Sequence, residues 1–375
     1  MAPASSAPKK MKQYVAVKQG GPFQLAATAD YPVPGPDEIC IRNRAVALNP
    51  LDWKNLYYGQ MVKAWPEVFG IDTSGVVEVV GENVTAFKPG DAVLSLAGHG
   101  GRAGAFQDVT VVPQHFASLK PACWTFEEAS SVPICYLTAA AAVVKGLGVP
   151  LPHLKDTRKE KENGGEEPEP SQPPTPVKAS ENVAVQKVKA IKCVLVVGGS
   201  SGVGACAIQL LRMALPSAII LSTNSAMQNG RVAKLGATTS IDRNLEPPKL
   251  VEAIKAASPG GEGVDAILDA VGGAEKNSAL FDVLTADGPK LYSQVFTGAN
   301  IDVPTDVSTS RVYGRMVFET PGGMLSMRKI IELAEQGKFK LPLKVQVVGK
   351  GLDAIGAGLE RLKEGVSGTK LVVSL

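Results

Sequence analysis

Aromatic side chains are scarce: Phe, Trp and Tyr make up 5% of the 375 residues. That leaves little material for stacking bases, so recognition of nucleic acid has no compositional support. An excess of one charge is missing too. Lys and Arg number 39 against 36 Asp and Glu, a formal +3, which is too weak a field to argue for nucleic acid or a membrane surface. Cysteine is sparse and odd in number, with Cys40, Cys123, Cys135, Cys193 and Cys206 scattered singly. This fits a reducing, cytoplasmic setting and argues against a disulfide framework. There is no Cys-x-x-Cys pair, which excludes a four-thiolate zinc site. His99, His115 and His153 have no adjacent ligand pattern. Each is expected at the surface, and no metal is expected. No apolar run approaches the length of a membrane-crossing helix. Residues 1–12 lack the apolar core of a secretory signal and the arginines of a transit peptide, so a disordered tail is expected.

What is present is a soluble globular composition, 45% apolar and 20% charged, in a chain long enough for two domains with a core each. The chain is organised around residues 193–204, C-V-L-V-V-G-G-S-S-G-V-G. A β-branched run ends in glycines and serines. The apolar residues 205–215 that follow are helical in character, with Gln209 and Arg212 as polar positions. Strand, glycine turn and helix open a dinucleotide-binding βαβ unit. Such a turn lets a pyrophosphate approach the backbone, and the helix N-terminus aims free N–H groups at it. In the register G-x-G-x-x-G, Gly199 is first and Gly204 last, Ser201 stands where the middle glycine belongs, and Gly202 follows it. An ordinary glycine-rich turn would show the same pattern.

Ahead of this unit the pattern is β-rich. Residues 13–17, 38–48, 75–80, 92–95 and 105–112 read as strands, with Pro32, Pro34, Gly35, Pro36, Gly81, Pro89 and Gly90 at turns. Asn49-Pro50-Leu51-Asp52-Trp53-Lys54 opens a short helix towards Tyr57. Helix signals follow over residues 125–144, with Thr125 as N-cap. Residues 151–190 break the composition, with crowded charges and five prolines from Pro168 to Pro176. Such a segment buries too little apolar surface to order itself, so a flexible insertion is expected, either merely tolerated or used to dock a partner. Beyond the glycine turn, strands at 217–221, 240–241, 264–268 and 290–295 alternate with helices at 226–235, 249–256 and 274–284. That alternation predicts a parallel, doubly wound sheet. The end of the chain (helix 327–336, strand 343–348, helix 352–363, strand 370–375) is less regular and able to return to the first domain.

An NAD site ends its second strand with an acid about 20 residues beyond the first glycine, placed on the ribose 2′-OH. Here that place reads Leu221-Ser222-Thr223-Asn224-Ser225, with Arg231 and Lys234 further on. No carboxylate repels a 2′-phosphate and several hydroxyls can donate to one, so NADPH is expected over NADH. Ser225 also fits a helix N-cap.

The order of these features resembles the medium-chain dehydrogenase/reductase superfamily, in its zinc-free quinone oxidoreductase and enoyl reductase branch. The matching pieces are the Asn49 to Lys54 motif, Phe69-Gly70-Ile71-Asp72-Thr73-Ser74-Gly75-Val76-Val77, Phe87-Lys88-Pro89-Gly90-Asp91 within residues 84–93, Gly104-Ala105-Phe106, residues 133–140, and the ending Gly368-Thr369-Lys370-Leu371-Val372-Val373. Zinc-dependent members carry Gly-His-Glu where this chain has Gly70-Ile71-Asp72, and a cysteine ligand near Asn49. Neither ligand is present here. Within the branch the chain is most similar to the trans-acting enoyl reductases that partner fungal polyketide synthases, through Leu147-Gly148-Val149-Pro150-Leu151-Pro152 and Leu341-Pro342-Leu343-Lys344-Val345.

The resemblance implies an α/β fold, with a GroES-like irregular β-barrel domain (13–136 and 311–375) beside a doubly wound Rossmann domain (137–310). The active site lies in the cleft between them. It implies hydride transfer from NADPH to the β-carbon of an enoyl thioester or enone, with preorganised donors meeting the enolate charge. Lys54 and Thr138 are the expected catalytic residues, and with Asn49 and Pro50 they are expected at the cofactor. Asn49 and Asp52 also shape their loop, and Asp72 anchors its own. Tyr57 or Tyr58 either donates a proton or packs. Gly199, Ser200, Ser201, Gly202, Val203 and Gly204 are expected at the pyrophosphate. Ser222, Thr223 and Ser225 are expected at the adenosine ribose and its phosphate, and Val271 and Gly272 at the nicotinamide ribose. Trp53, Met61, Trp65 and residues 298–315 would shape the pocket. The expected partners are a small or carrier-bound enoyl substrate and a polyketide synthase, the chain being a monomer or homodimer. An NADPH quinone reductase and a non-catalytic cofactor-binding homologue remain open.

Overall fold

The computed structural model describes residues 10–155, 191–298 and 300–375. The expected tail is shorter than residue 12, because β1 (Lys10–Ala16) is a strand paired with β2 (Phe23–Asp30). Its remainder lies outside the described residues. The expected insertion starts later than 151: Leu151 and Leu154 are buried around a 3₁₀ turn, Pro152–Leu154. Residues 156–190 lie outside the described residues.

The first domain is built on β3 (Glu38–Ala47), most of whose side chains are buried. Helix α1 (Pro50–Tyr58) follows at once. Pro50 opens it, the Asn49 N–H is met by the Asp52 carboxylate at 2.8 Å, and Gly59 stops it at φ 65°. β4 (Glu67–Val68), β5 (Asp72–Val80), β6 (Ala92–Leu96), β7 (Val109–Pro113) and β8 (Ala117–Leu119) complete the local strands. Helices α2 (Phe126–Ser130) and α3 (Pro133–Ala141) lead out, and α3 runs into a π turn, Ala142–Gly146, where Ser293 Oγ donates to Ala142 O at 3.0 Å. The stretch Phe126–Gly146 is long and apolar enough to cross a membrane, contrary to the expectation above, but it is largely buried in the protein and reads as core.

The second domain alternates strand and helix: β9 (Cys193–Val197), α4 (Gly202–Ala214), β10 (Ile219–Asn224), α5 (Asn229–Lys234), β11 (Thr239–Asp242), α6 (Pro247–Ala257), β12 (Ala266–Asp269), α7 (Gly273–Lys276), β13 (Leu291–Val295) and β14 (Ser308–Val312). The sheet order is β11-β10-β9-β12-β13-β14 with every pairing parallel, the doubly wound order with its switch between β9 and β12. β14 was not expected. It belongs to this sheet, so a boundary at 310/311 cuts a strand, and the Rossmann sheet runs to Val312. The helix expected over 274–284 is only α7 followed by a 3₁₀ turn, Ser278–Val283.

Helix α8 (Ser326–Glu335) buries Met327 and Ile330 in the core that holds Tyr136 of α3. β15 (Lys344–Lys350), α9 (Ala354–Glu364) and β16 (Thr369–Ser374) return to the first domain, whose sheet runs β15-β16-β3-β5-β6-β8 with β7 also on β3. α9 buries Ile355 and Leu359 beside Leu48 and Leu371, each contributing about 1.5–3 kcal/mol.

Candidate active site

The glycine loop sits beyond the C-terminal end of the central strand β9. Gly198, not Gly199, takes the left-handed turn, at φ 79°, and Ser201 N–H closes it on Gly198 O at 2.9 Å. Ser201 then caps α4, its Oγ accepting from Gly204 N–H at 3.0 Å. A serine at the middle glycine position is therefore a helix cap. The N–H groups of Gly202 and Val203 are left as the unfilled donors of the first turn, which is what an anion requires. Two glycines are dictated by close packing. A Cβ on Gly204 would strike Gly198 O, and one on Gly202 would strike Cys135 Sγ of α3. Ser200 is buried, and its carbonyl accepts from Arg231 Nη2 at 3.1 Å.

The end of β10 departs from expectation at Ser222. That side chain is fully buried: its Oγ donates to Asn224 Oδ1 at 2.8 Å, and a Cβ on Gly199 would collide with it. Ser222 supports the loop from beneath and does not face a 2′-phosphate. Thr223 is likewise internal, its Oγ1 accepting from Gly198 N–H at 3.1 Å. Ser225 remains half-buried at the strand end, and Arg231 spends its guanidinium on Ser200, Pro342 and Gln228. Past β12, Asp269 accepts from the N–H groups of Val271, Gly273 and Ala274 at 3.1, 2.9 and 3.0 Å. It thereby fixes Gly272 at φ 71° and leaves Val271 exposed against Gly198, across the β9/β12 switch. Asp269 lies one residue beyond the strand expected at 264–268, and no role was expected for it.

From the first domain, Lys54 crosses to the second. Its Nζ donates to Thr297 O at 2.6 Å, just beyond β13, and lies 5.8 Å from the Trp53 ring centroid. Burial holds its pKa below the usual lysine range. Thr138 is buried on α3, and a Cβ on Gly314 would come within 3.0 Å of its Oγ1, so it faces the segment after β14. Tyr57 is turned away, donating to Glu360 Oε1 at 2.6 Å with Lys363 over its ring. Tyr58 is exposed with its ring 6.1 Å from that of Trp53, and Met61 is exposed, while Trp65 packs edge-on against Phe69.

Behind these residues lies a buried ionic knot that sequence reading missed. Lys370 Nζ, on β16, donates to Asn49 Oδ1 at 2.5 Å and to Asp72 Oδ2 at 3.2 Å, and touches Cys135 Sγ at 3.7 Å. Asp72 Oδ2 also accepts from Asn49 Nδ2 at 2.9 Å, and its Oδ1 accepts from Ile134 N–H at 2.8 Å at the start of α3. Asn49 is thus spent inside the protein, and Pro50 serves as the first residue of α1. Burial pushes the Asp72 carboxyl up, while Lys370, Asn49 and Ile134 pull it back. Burial, and then the charge of Asp72, push Asp52 up to about 7. The one sequence signal was a lysine inside an otherwise apolar strand, T-K-L-V-V-S. The histidines also depart from expectation, since none is exposed. His99 and His115 are half-buried, and the His153 ring lies 3.0 Å from Tyr136 OH, with burial pressing its pKa down to about 4.

Residues 35–122 match the alcohol dehydrogenase GroES-like domain. Dehydrogenase orsE of Emericella nidulans is 32% identical over 358 residues, 92% of this chain and 94% of its own. Trans-enoyl reductase tndF of Aspergillus flavipes is 29% identical over 372 residues, covering 95% and 96%. A mycobacterial protein solved in complex with NADPH superposes with a TM-score of 0.70 at 21% identity, over 97% of this chain and all of its own.

Proposed function

The chain belongs to the medium-chain dehydrogenase/reductase superfamily and is an oxidoreductase of that type; from that premise we propose that it is an NADPH-dependent, zinc-independent reductase of an activated C=C bond in an enoyl thioester or enone. The observation that carries the reading is Lys54, a half-buried cation held against Thr297 O beyond the nucleotide-binding sheet. A dinucleotide fits the residues present. Gly202 and Val203 offer N–H donors to a pyrophosphate, Val271 and Gly272 stand at the switch point, and no acid ends β10 to repel a 2′-phosphate. Such a cofactor supplies the hydride for the β-carbon.

The protein's own work is to hold the alkene and meet the charge that gathers on its carbonyl oxygen. Lys54 does so as a preorganised donor in a site partly closed to water. Thr138, from α3, orients the bound groups. Zinc independence rests on Lys370: its ammonium fills the space among Asn49, Asp72 and Cys135, so a dication brought there would meet a resident cation. The name of the tndF relative supports an enoyl substrate, and its presentation as a carrier-bound thioester is part of the same proposal.

The test is oxidation of NADPH and NADH by the purified protein with a crotonyl thioester, a small enone and a quinone in parallel. Consumption of NADPH with the thioester or enone is expected. Turnover of the quinone alone would move the reading to a quinone reductase. Tight NADPH binding with every acceptor untouched would reduce it to a cofactor-binding homologue.

A further inference from the structure

Arg315 reaches across between the domains, and no acid among the described residues neutralises it. It follows Gly314, the residue packed on Thr138, and so approaches from the Rossmann side just beyond β14. Its Nη2 lies 3.4 Å from Ala97 O, and its guanidinium carbon is 4.9 Å from the centroid of the Phe116 ring. Ala97 belongs to the opposite wall, where its N–H donates to Ile71 O at 2.7 Å, beside the start of β5. The arginine therefore bridges the same two domains as Lys54 does, at a second point.

Two imidazoles flank it. His99 is two residues past Ala97, and His115 stands edge-on to both Phe116 and Phe318, with centroids at 4.6 and 5.4 Å. Burial and the nearby Arg315 charge hold both histidines below their usual range. Among the described residues no carboxylate pairs with Arg315 or either histidine. The residue as a whole is exposed, but its guanidinium is partly screened from water against the Phe116 ring, which disfavours its charge, and Tyr313 offsets only part of that. One face lies on an aromatic ring, and its fork of N–H groups has a single long bond to Ala97 O. A guanidinium so held is preorganised for bidentate binding of a phosphate or carboxylate.

We propose that Arg315, with His99 and His115, forms an oxyanion subsite of the cleft that receives a phosphate or carboxylate carried by the substrate. The proposal deepens the reductase reading, since it says that the alkene arrives on an anionic molecule. The two sources share one chemistry, a charged oxygen pair or triplet. A phosphate would belong to a pantetheine arm, and a carboxylate to the alkene itself.

The protein, first saturated with NADP⁺ so that cofactor phosphate sites are filled, is titrated calorimetrically with 4′-phosphopantetheine, pantetheine, crotonate and crotonamide. One anion should bind about tenfold or more tighter than its uncharged counterpart. Arg315→Met should erase that difference, and Arg315→Lys should keep part of it. Phosphopantetheine binding identifies the arm, and crotonate binding identifies the alkene. With three histidines in the chain, proton NMR gives a second readout: the ring signals of His99 and His115 should move on addition of the anion while those of His153 stay. Equal affinity for charged and uncharged ligands, or anion binding intact in Arg315→Met, overturns the subsite. Because the readout is binding, inactivity towards every acceptor with anion binding intact would count against the reductase reading alone.

Discussion

Lys370 is 5% exposed and Asp72 fully buried, which makes their contact unlike the solvated ion pairs elsewhere. Removing one partner of a buried pair strands the other, at a cost of about 3–5 kcal/mol. Lys370→Met should therefore lower the free energy of unfolding by that much in urea, and a loss below about 1 kcal/mol would mean that water relieves Asp72. Asp52 predicts a pH effect. Its carboxyl is raised to about 7 in the folded chain, against about 3.9 in an unfolded one. Below about pH 4 both states carry the proton. Between about pH 4 and 7 the unfolded chain has lost it and the folded chain keeps it, so stability falls as pH rises, then levels off. Asp52→Asn keeps an oxygen for the Asn49 N–H and cannot ionise, so the decline across that window should become shallower; an unchanged slope would assign it to other groups. Lys54→Met should lower kcat by about 10²-fold if the ammonium meets the developing enolate. A rise in KM with kcat intact would instead make it a binding residue.

The glycine loop and α4 show what a sequence can and cannot disclose about an element. The run of buried β-branched residues into glycines marked the strand, turn and helix correctly in place. The register did not predict that Gly198 would take the left-handed conformation or that Ser201 would cap the helix, because both depend on where the next helix begins. Ser201→Ala should destabilise the protein by about 1 kcal/mol and Ser201→Gly by only a few tenths, the order a cap demands. If the glycine variant were the worse of the two in thermal denaturation, loop entropy rather than capping would govern the position. β14 was illegible for a different reason. Its S-T-S-R-V is polar and mostly exposed at a sheet edge, so no hydrophobic period announces it. Ser222 was misread because its surroundings are supplied by Gly199 and Asn224, which hydroxyl chemistry alone does not reveal.

At the scale of the molecule, the two-domain plan was legible because each half has its own period, alternating strands before residue 120 and β/α alternation after 193. The contacts that join the halves were not. Lys54 to Thr297 and Arg315 to Ala97 join the two domains, while Lys370 to Asn49 ties the returning strand β16 into the first; they span 243, 218 and 321 residues of chain, separations on which local pattern carries no information. Two of these contacts bridge the domains, so a ligand held between the domains should stabilise both together. NADPH at about a hundred times its Kd should raise the unfolding free energy by about 2.7 kcal/mol, read as a higher Tm with one cooperative transition. On the proposed reading, Ser225 is the residue placed to select NADPH over NADH. It is the half-buried residue closing the end of β10, while Ser222 and Thr223 are internal. A carboxylate introduced there would repel a 2′-phosphate and accept from a 2′-OH. Ser225→Asp should therefore lose about tenfold or more of its affinity for NADPH while that for NADH holds or improves. The matching thermal-shift signature is an NADPH-induced rise that shrinks while the NADH-induced rise does not. If both cofactors weakened equally, Ser225 would be shaping the strand end and the 2′-phosphate would lie elsewhere.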